Sequence, residues 1–366
     1  MADKIRVGIV GATVTPGGSE WGAKAHVPAL QALPGLELKA VCTAHEDTAK
    51  ASAAKFGAEL AFHDMSAMVS HPDIDLVTVV VRVPLHLDLV MMALRAGKPV
   101  CCEWPLAANL TEAKQLADCA KEHSLITAVG LQAQSNPAVM YARDIVANDD
   151  LGEILAVNLS VMVQSVTKRG DGRIWQGVRS NGANPMTIPG GHSIDAMCHI
   201  VGEFKELSAR VTTRTTNWQH AVTGADFAVD APDTVSSVGV LENGAEISYQ
   251  LASVAHSPSG TRLEIYGRKG TLVLTSDSVN VAASHLHRSI GAEKIAALDI
   301  PDSYTLIPAN MATGPGRNVA QAYARLAAAM HSGASGPPDF DHAVIRHRLI
   351  DAMERSSDTG SVIKFD

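Results

Sequence analysis

Arg6-Val7-Gly8-Ile9-Val10-Gly11-Ala12-Thr13 reads as a short apolar strand that runs into a glycine turn. Val14-Thr15-Pro16-Gly17-Gly18-Ser19-Glu20 lengthens that turn before a helix opens near Trp21. A glycine turn between strand and helix lets backbone N–H groups meet a pyrophosphate at the helix N-terminus. Taken alone it has two readings: a dinucleotide cradle, or a strand–turn–helix whose glycines serve geometry only. The pattern then repeats. Leu36 to Thr43, Leu76 to Val83, Val100 to Glu103 and Ile126 to Leu131 are further Val-rich runs bounded by turn residues. Trp21 to Ala32, Glu46 to Phe56, His86 to Ala96 and Thr111 to His123 carry helical spacing between them. Continuous apolar strands joined by helices predict an α/β fold with a doubly wound parallel sheet. Its ligand is expected outside the carboxyl ends of the strands.

Composition bounds the rest. With 366 residues, 46% of them hydrophobic, the chain can bury two cores. A net charge of −8 without a basic stripe argues against nucleic acid as a partner. Cys42, Cys101, Cys102, Cys119 and Cys198 are odd in number and lack CxxC spacing, so they read as small hydrophobes in a reducing compartment. No stretch approaches a membrane span, and the first apolar run is too short for a signal-peptide core. The expectation is a cytoplasmic protein with no membrane partner.

Beyond Gln132 the texture changes. A helix near Ala138 to Ala147 precedes long strands at Ile154 to Gln164, Leu207 to Thr215, Thr234 to Ala255 and Leu263 to Thr275. Asn243-Gly244 and Lys269-Gly270 break two of these as hairpin turns, where glycine is expected to supply a positive φ. Helices over Asn318 to His331 and His342 to Glu354 close the chain. We expect a dinucleotide-binding domain over 1–131 and a substrate-binding, oligomerising domain over 132–366. In the second, helices cover one face of a mainly antiparallel sheet. The open face then calls for a partner copy, in a homodimer or homotetramer.

The second strand ends Ala40-Val41-Cys42-Thr43-Ala44-His45, where an acidic residue would bind the adenosine ribose of NAD. Neutral Thr43 and basic His45 remove repulsion of a 2′-phosphate, which favours NADP(H) over NAD(H). The alternative is that both residues only cap the next helix.

Several segments carry a resemblance when read in order. They are Val7 to Gly11; Ala93 to Val100 leading to Glu103-Trp104-Pro105-Leu106-Ala107; Leu151 to Ile154; Gly191-His192-Ser193-Ile194-Asp195; Leu263 to Gly267 with Lys269 to Leu272; and Asp351 to Ser356. Together they resemble the Gfo/Idh/MocA oxidoreductase family over nearly the whole length. The resemblance implies an N-terminal Rossmann domain, a C-terminal domain with an open-faced sheet, and bound NAD(P). It also implies substrates among sugars, inositols, related polyols and carbonyls. The residues it places around the cofactor are Gly11, Ala12, Thr13, Trp21, Thr43, His45, Arg82, His86, Glu103, Trp104 and Gln132.

The chain departs from the family pattern at three points. Glu103-Trp104-Pro105 stands where Glu-Lys-Pro is usual, and an indole N–H does not titrate in water. Ile188 takes the place of an aspartate four residues before His192, and Arg82 replaces a proline while His86 is kept. Within the family, Trp21-Gly-Ala-Lys24-Ala-His26, Glu103-Trp104, Leu131-Gln132 and Gly191 to Asp195 are similar to the fungal galactose-pathway repressor branch. That branch binds a dinucleotide without catalysis, which sets a regulatory protein as the alternative expectation.

His192 is the remaining candidate for proton transfer, since a histidine titrates near neutral pH. Asp195, one helical turn on, is placed to orient a ring nitrogen. Trp104 is expected to wall the nicotinamide side and meet a sugar face or an aromatic substrate. Lys168, Arg169, Arg173 and Trp175 form a polar loop that either lines the substrate pocket or is a solvated face. His192, Asp195 and His199 share a helix face, but His199 reads as packing, so no metal is expected. The expected activity is hydride transfer between NADP(H) and a polyhydroxylated or aromatic alcohol or carbonyl compound.

Overall fold

The computed structural model describes residues 4–15, 20–277, 281, 283–311, 314 and 316–365; the turn residues Pro16 to Ser19 lie outside them. Strands β1 (Ile5–Val10), β2 (Leu36–Cys42), β3 (Leu60–Phe62), β4 (Leu76–Val79), β5 (Val100–Cys102) and β6 (Thr127–Val129) alternate with helices. The helices are α1 (Val27–Ala32), α2 (Glu46–Phe56), α3 (Met65–Val69), α4 (His86–Arg95) and α5 (Leu110–Glu122). The strands pair parallel in the order β3-β2-β1-β4-β5-β6, so the order reverses between β1 and β4.

Local chemistry explains the boundaries. Glu46 and Asp47 in the first turn of α2 face the positive helix end, and Gly57 at φ 72° stops the helix in the left-handed region. Asn109 accepts a bond from the Glu112 amide at 3.0 Å while the Glu112 carboxylate accepts from Ala108, a reciprocal cap that starts α5. Gly22–His26 winds as a π-helical turn leading into α1, where the sequence pattern predicted continuous α-helix. β3 and α3 have no counterpart in the sequence reading. At three and five residues, they are too short for a period to declare itself.

The remaining elements are α6 (Pro137–Ala147), β7 (Ile154–Gln164), β8 (Lys168–Arg169), α7 (Gly191–Val201), β9 (Phe204–Thr212), β10 (Asn217–His220), β11 (Asp226–Ala228), β12 (Thr234–Leu241), β13 (Glu246–Ala255), β14 (Gly260–Gly267), β15 (Gly270–Ser276), β16 (Ser284–Ile290) and β17 (Ala296–Leu298). Helices α8 (Arg317–Ser332) and α9 (Phe340–Thr359) and strand β18 (Ile363–Lys364) end the chain. The chain divides into two compact units, Met1–Gln132 with Leu306–Ile345 and Ala133–Thr305 with Arg346–Asp366. Helix α8 therefore joins the first unit, although the sequence reading placed everything beyond 131 in the second domain. Its Val319, Ala320, Tyr323 and Leu326 pack with Ala25, Ala29 and Leu30. An amphipathic alanine-rich helix carries no mark of which core it will cover.

The second unit holds a nine-stranded sheet ordered β17-β16-β15-β14-β7-β13-β12-β9-β18, and a small sheet of β11, β10 and β8. The large sheet is antiparallel except at β7–β13. Asn158, Ser160, Arg210, Ser236, Ser248 and Gln250 project from one face, alternating with the buried Val157, Leu159, Val235, Ile247 and Leu251. Gly244 takes φ 88° at the β12–β13 turn, as Asn-Gly chemistry demands. Gly270 is different. Its φ is not positive; a Cβ there would overlap the Ser289 carbonyl oxygen and lie 2.8 Å from Ile290 Cδ1. Space, not turn conformation, fixes that glycine.

An ion cluster crosses the interior of this unit. Arg346, with no exposed surface, donates from Nε to Asp195 Oδ1 at 3.1 Å and grips Glu203 with both terminal nitrogens at 3.2 and 2.8 Å. Asp195, also fully buried, accepts from Gln134 Nε2 at 3.2 and 3.1 Å. Removing the cation leaves a buried carboxylate without its guanidinium, a loss of roughly 3–5 kcal/mol. Arg346→Met should therefore lower the melting temperature steeply, and Arg346→Met with Asp195→Leu should recover much of the loss. Thermal denaturation of the parent, both single variants and the double variant checks this; strictly additive losses would contradict it.

Candidate functional site

In the first unit the site is built at the carboxyl ends of the parallel strands. Gly11 sits at φ 99°, and a Cβ on it would overlap the Val80 carbonyl oxygen and lie 2.8 Å from Val81 Cγ1. The tip of β1 passes the residue after β4 only because residue 11 has no side chain. A Cβ on Gly22 would lie 3.0 Å from Ala12 Cα and 3.2 Å from the Gly11 carbonyl oxygen, so the helical segment rests on the backbone of the turn. Ala12 is fully buried, and the Thr13 hydroxyl reaches Thr15 Oγ1 at 3.0 Å. Trp21 is half-buried, and its Nε1 is a buried donor without a hydrogen-bond partner among the described residues. Gln132 is 2% exposed, and its Oε1 is likewise a buried acceptor without such a partner. The bare glycine backbone at the tip of β1 and these two polar atoms fit a dinucleotide-type cofactor.

The end of β2 separates the two residues proposed for the ribose. Thr43 is buried, with its hydroxyl 2.6 Å from Thr48 Oγ1 and 3.1 Å from the His45 carbonyl oxygen. That is a helix-entry bond set. His45 is exposed and makes no side-chain cap bond to α2.

Around β5 the side chains are locked. His86 is 1% exposed; Nδ1 lies 2.9 Å from the Pro105 carbonyl oxygen and Nε2 3.1 Å from that of Val81. Burial lowers the His86 pKa, opposed by those carbonyl oxygens, and the ring ties α4 to the Trp104-Pro105 segment. Arg82 is exposed just before it. Trp104 keeps 4% of its surface exposed and precedes Pro105 through a cis peptide. Burial pushes Cys42 up to about 11 and Cys102 well above its ordinary range, so both stay thiols and neither serves as a nucleophile at neutral pH.

Glu103 belongs to a network the sequence reading did not contain. His26 Nε2 meets Glu103 Oε1 at 3.0 Å, His26 Nδ1 meets the Tyr323 hydroxyl at 2.8 Å, and that hydroxyl meets Thr78 Oγ1 at 3.0 Å. Gly130 makes room for the carboxylate: a Cβ there would lie 2.5 Å from Glu103 Oε1. The one signal in the sequence was Tyr323, a lone aromatic in an alanine-rich helix.

In the second unit, His192 is 5% exposed in the first turn of α7, after the π-helical turn Met186–Gly190 that contains half-buried Ile188. Asp195 lies one turn further along the same helix, in the ion cluster with Gln134 and Arg346. Among the described residues, no group of three or more His, Cys, Asp and Glu could hold a metal ion. Lys168 and Arg173 are exposed, whereas Trp175 is half-buried and donates to the Gly172 carbonyl oxygen at 2.8 Å. Arg169 lies with its Cζ 4.2 Å from the centre of the Trp218 ring. The polar loop therefore has a packed inner side and a solvated outer one.

Comparison with known proteins fits these halves. A profile described as "Oxidoreductase family, NAD-binding Rossmann fold" matches residues 5–131, and one described as "Gal80p, C-terminal domain" matches 137–276. The dehydrogenase aclE of Aspergillus oryzae is 30% identical over 380 residues, covering 100% of this chain and 99% of that protein. The galactose/lactose metabolism regulatory protein GAL80 of Saccharomyces cerevisiae is 25% identical over 317 residues, covering 78% and 70%. A solved levoglucosan dehydrogenase, in complex with NADH and levoglucosan, superposes with a TM-score of 0.86 at 23% identity over 100% of both chains, a likeness of fold. The chain thus belongs to the Gfo/Idh/MocA oxidoreductase family, with an NAD-binding Rossmann fold in its N-terminal part and a Gal80-like domain after it.

Proposed function

We propose that the protein is a nicotinamide-dependent dehydrogenase of small hydroxylated or aromatic alcohols and their carbonyl counterparts, with NADP(H) favoured over NAD(H). The observation that carries this reading is His192, a histidine in the first turn of a helix that Asp195 anchors to Arg346 and Gln134. The nicotinamide, when bound, supplies or accepts the hydride. Gly11, Ala12, Thr13, Trp21 and Gln132 would hold the cofactor, with His45 at its ribose end. His192 would take the hydroxyl proton in oxidation and return it in reduction. Asp195 acts as a positioning residue through the fixed helix. Trp104 would offer the bound cofactor an apolar wall in place of a charged group. We place the protein in the cytoplasm, as a homodimer or homotetramer joined through the face that carries Ser236 and Ser248.

A second reading is a cofactor-binding regulator without turnover. The match of residues 137–276 to the Gal80p C-terminal domain favours it, together with Trp104 in the place of the usual lysine.

Exposed His45, rather than buried Thr43, is the position to test for cofactor choice. The parent should bind NADPH more tightly than NADH, and His45→Asp should weaken NADPH about tenfold at low salt by repelling the 2′-phosphate. Calorimetric titration with both cofactors measures this; unchanged affinities in the variant would reject the assignment.

His192→Ala should lower turnover by roughly 10²- to 10⁴-fold with little change in cofactor affinity, and the parent's rate of alcohol oxidation should fall as pH drops through the histidine range. Near-parent turnover in the variant would move proton transfer elsewhere. Trp104→Lys with Ile188→Asp separates the two readings. In a dehydrogenase built around an apolar wall, the double change places charges against the substrate and activity falls. A parent inert across sugars, polyols and aromatic alcohols, yet activated by the double change, would establish the regulator instead.

A further inference from the structure

Arg169 is a cation without a counter-ion. It is half-buried, its Nε donates to the Val166 carbonyl oxygen at 3.2 Å, and its Nη1 donates to Gln176 Oε1 at 2.9 Å. Both acceptors are neutral. The guanidinium packs over Trp218, itself 5% exposed, in a small core with Val229 and Ala231. No carboxylate among the described residues forms an ion pair with Arg169, Lys168 or Arg173. The acid between them, Asp171, pairs with His220 at 3.0 Å. Asp233, which lines the same recess as Arg169, accepts from the Arg214 and Thr215 amides, each at 2.8 Å. Arg173, in the turn after the strand, is the like charge that acts on Arg169, in a chain whose net charge is −8.

Partial burial of a guanidinium costs solvation that an aromatic face offsets only in part. Burial pulls Arg169 down to about 10, with Arg173 adding like-charge repulsion, so it remains cationic at neutral pH. A guanidinium has five N–H donors. Two are engaged here, and the remaining three suffice for a two-point contact with an oxyanion. We propose that Arg169, with Arg173 beside it, forms an anion subsite, and that the ligand is a small hydroxylated molecule carrying a carboxylate or a phosphate. The subsite deepens the dehydrogenase reading and rests on it for making that molecule the substrate.

The test uses the whole chain, saturated with NADPH for the binding titrations and supplied with NADP+ as hydride acceptor for turnover. D-glucuronate, D-glucose 6-phosphate and D-glucose are titrated by calorimetry at low salt, with turnover followed in parallel. At least one anion should bind about 10- to 100-fold more tightly than D-glucose, as charged hydrogen bonds allow, and the tighter of the two tells carboxylate from phosphate. Arg169→Gln should erase the preference and Arg169→Lys should keep part of it. Exposed Arg173→Gln, which leaves the Trp218 packing intact, should weaken anion binding by a factor of about 3 to 10. Arg268→Gln, at a surface pair with Glu153, should change nothing. Equal affinities for the three sugars, no binding of either anion, or a preference that survives Arg169→Gln would overturn the subsite. Anion preference without turnover keeps the subsite and removes the dehydrogenase reading; turnover on neutral sugars without anion preference does the reverse.

Discussion

The fully buried guanidinium of Arg346 is the constraint around which the second unit is arranged. It joins α9 to Asp195 on α7 and to Glu203 in the turn before β9, and Asp195 carries the link on to Gln134. Each charge is tolerable only because the other is present, since an isolated ion in this interior would cost several kcal/mol. Packing among apolar side chains permits small slides. A charged, two-point contact between planar groups permits few. The helix that carries His192 is therefore tied at Asp195, and the turn that follows it is held at two points through Glu203.

The first unit uses a hydrogen-bond network to the same end. Tyr323 enters from α8, far along the chain, and its hydroxyl joins His26 and Thr78, while His26 holds Glu103 at the end of β5. The apolar part of α8 buries surface against α1; the tyrosine hydroxyl sets which face of α8 does so. Glu103, which adjoins Trp104, thus owes its orientation to a helix that the chain adds after the whole second sheet has been built.

Trp104 and His192 define the functional question. A tryptophan where the family has a lysine removes the usual proton carrier, while the histidine and the anchored helix beneath it remain. Neighbours of both kinds, a dehydrogenase and a galactose regulatory protein, match the chain at modest identity. Descent alone does not decide between them, because function resides in the site and not in the fold. The guanidinium of Arg169, half-buried over Trp218, is a separate feature of the second unit, and a subsite there would suit an enzyme and a regulator alike.

The sequence by itself determined the α/β plan. Val-rich runs of the right length, the glycine at 11 and the Asn243-Gly244 turn each act through near-neighbour sterics and hydrophobic period, and such effects are local. The family resemblance also singled out Glu103, Trp104 and His192 for attention. What the sequence could not contain were partners distant in the chain. Arg346 for Asp195, Tyr323 for His26, and Trp218 for Arg169 were chosen by the folded structure, because hydrogen bonds and ion pairs depend on distance in space. Even Gly270 looked like a turn residue and proved to be a matter of room beside Ser289. The assignment of α8 to the first unit was decided in the same way: an amphipathic face specifies that it must be buried, and only tertiary packing specifies against what.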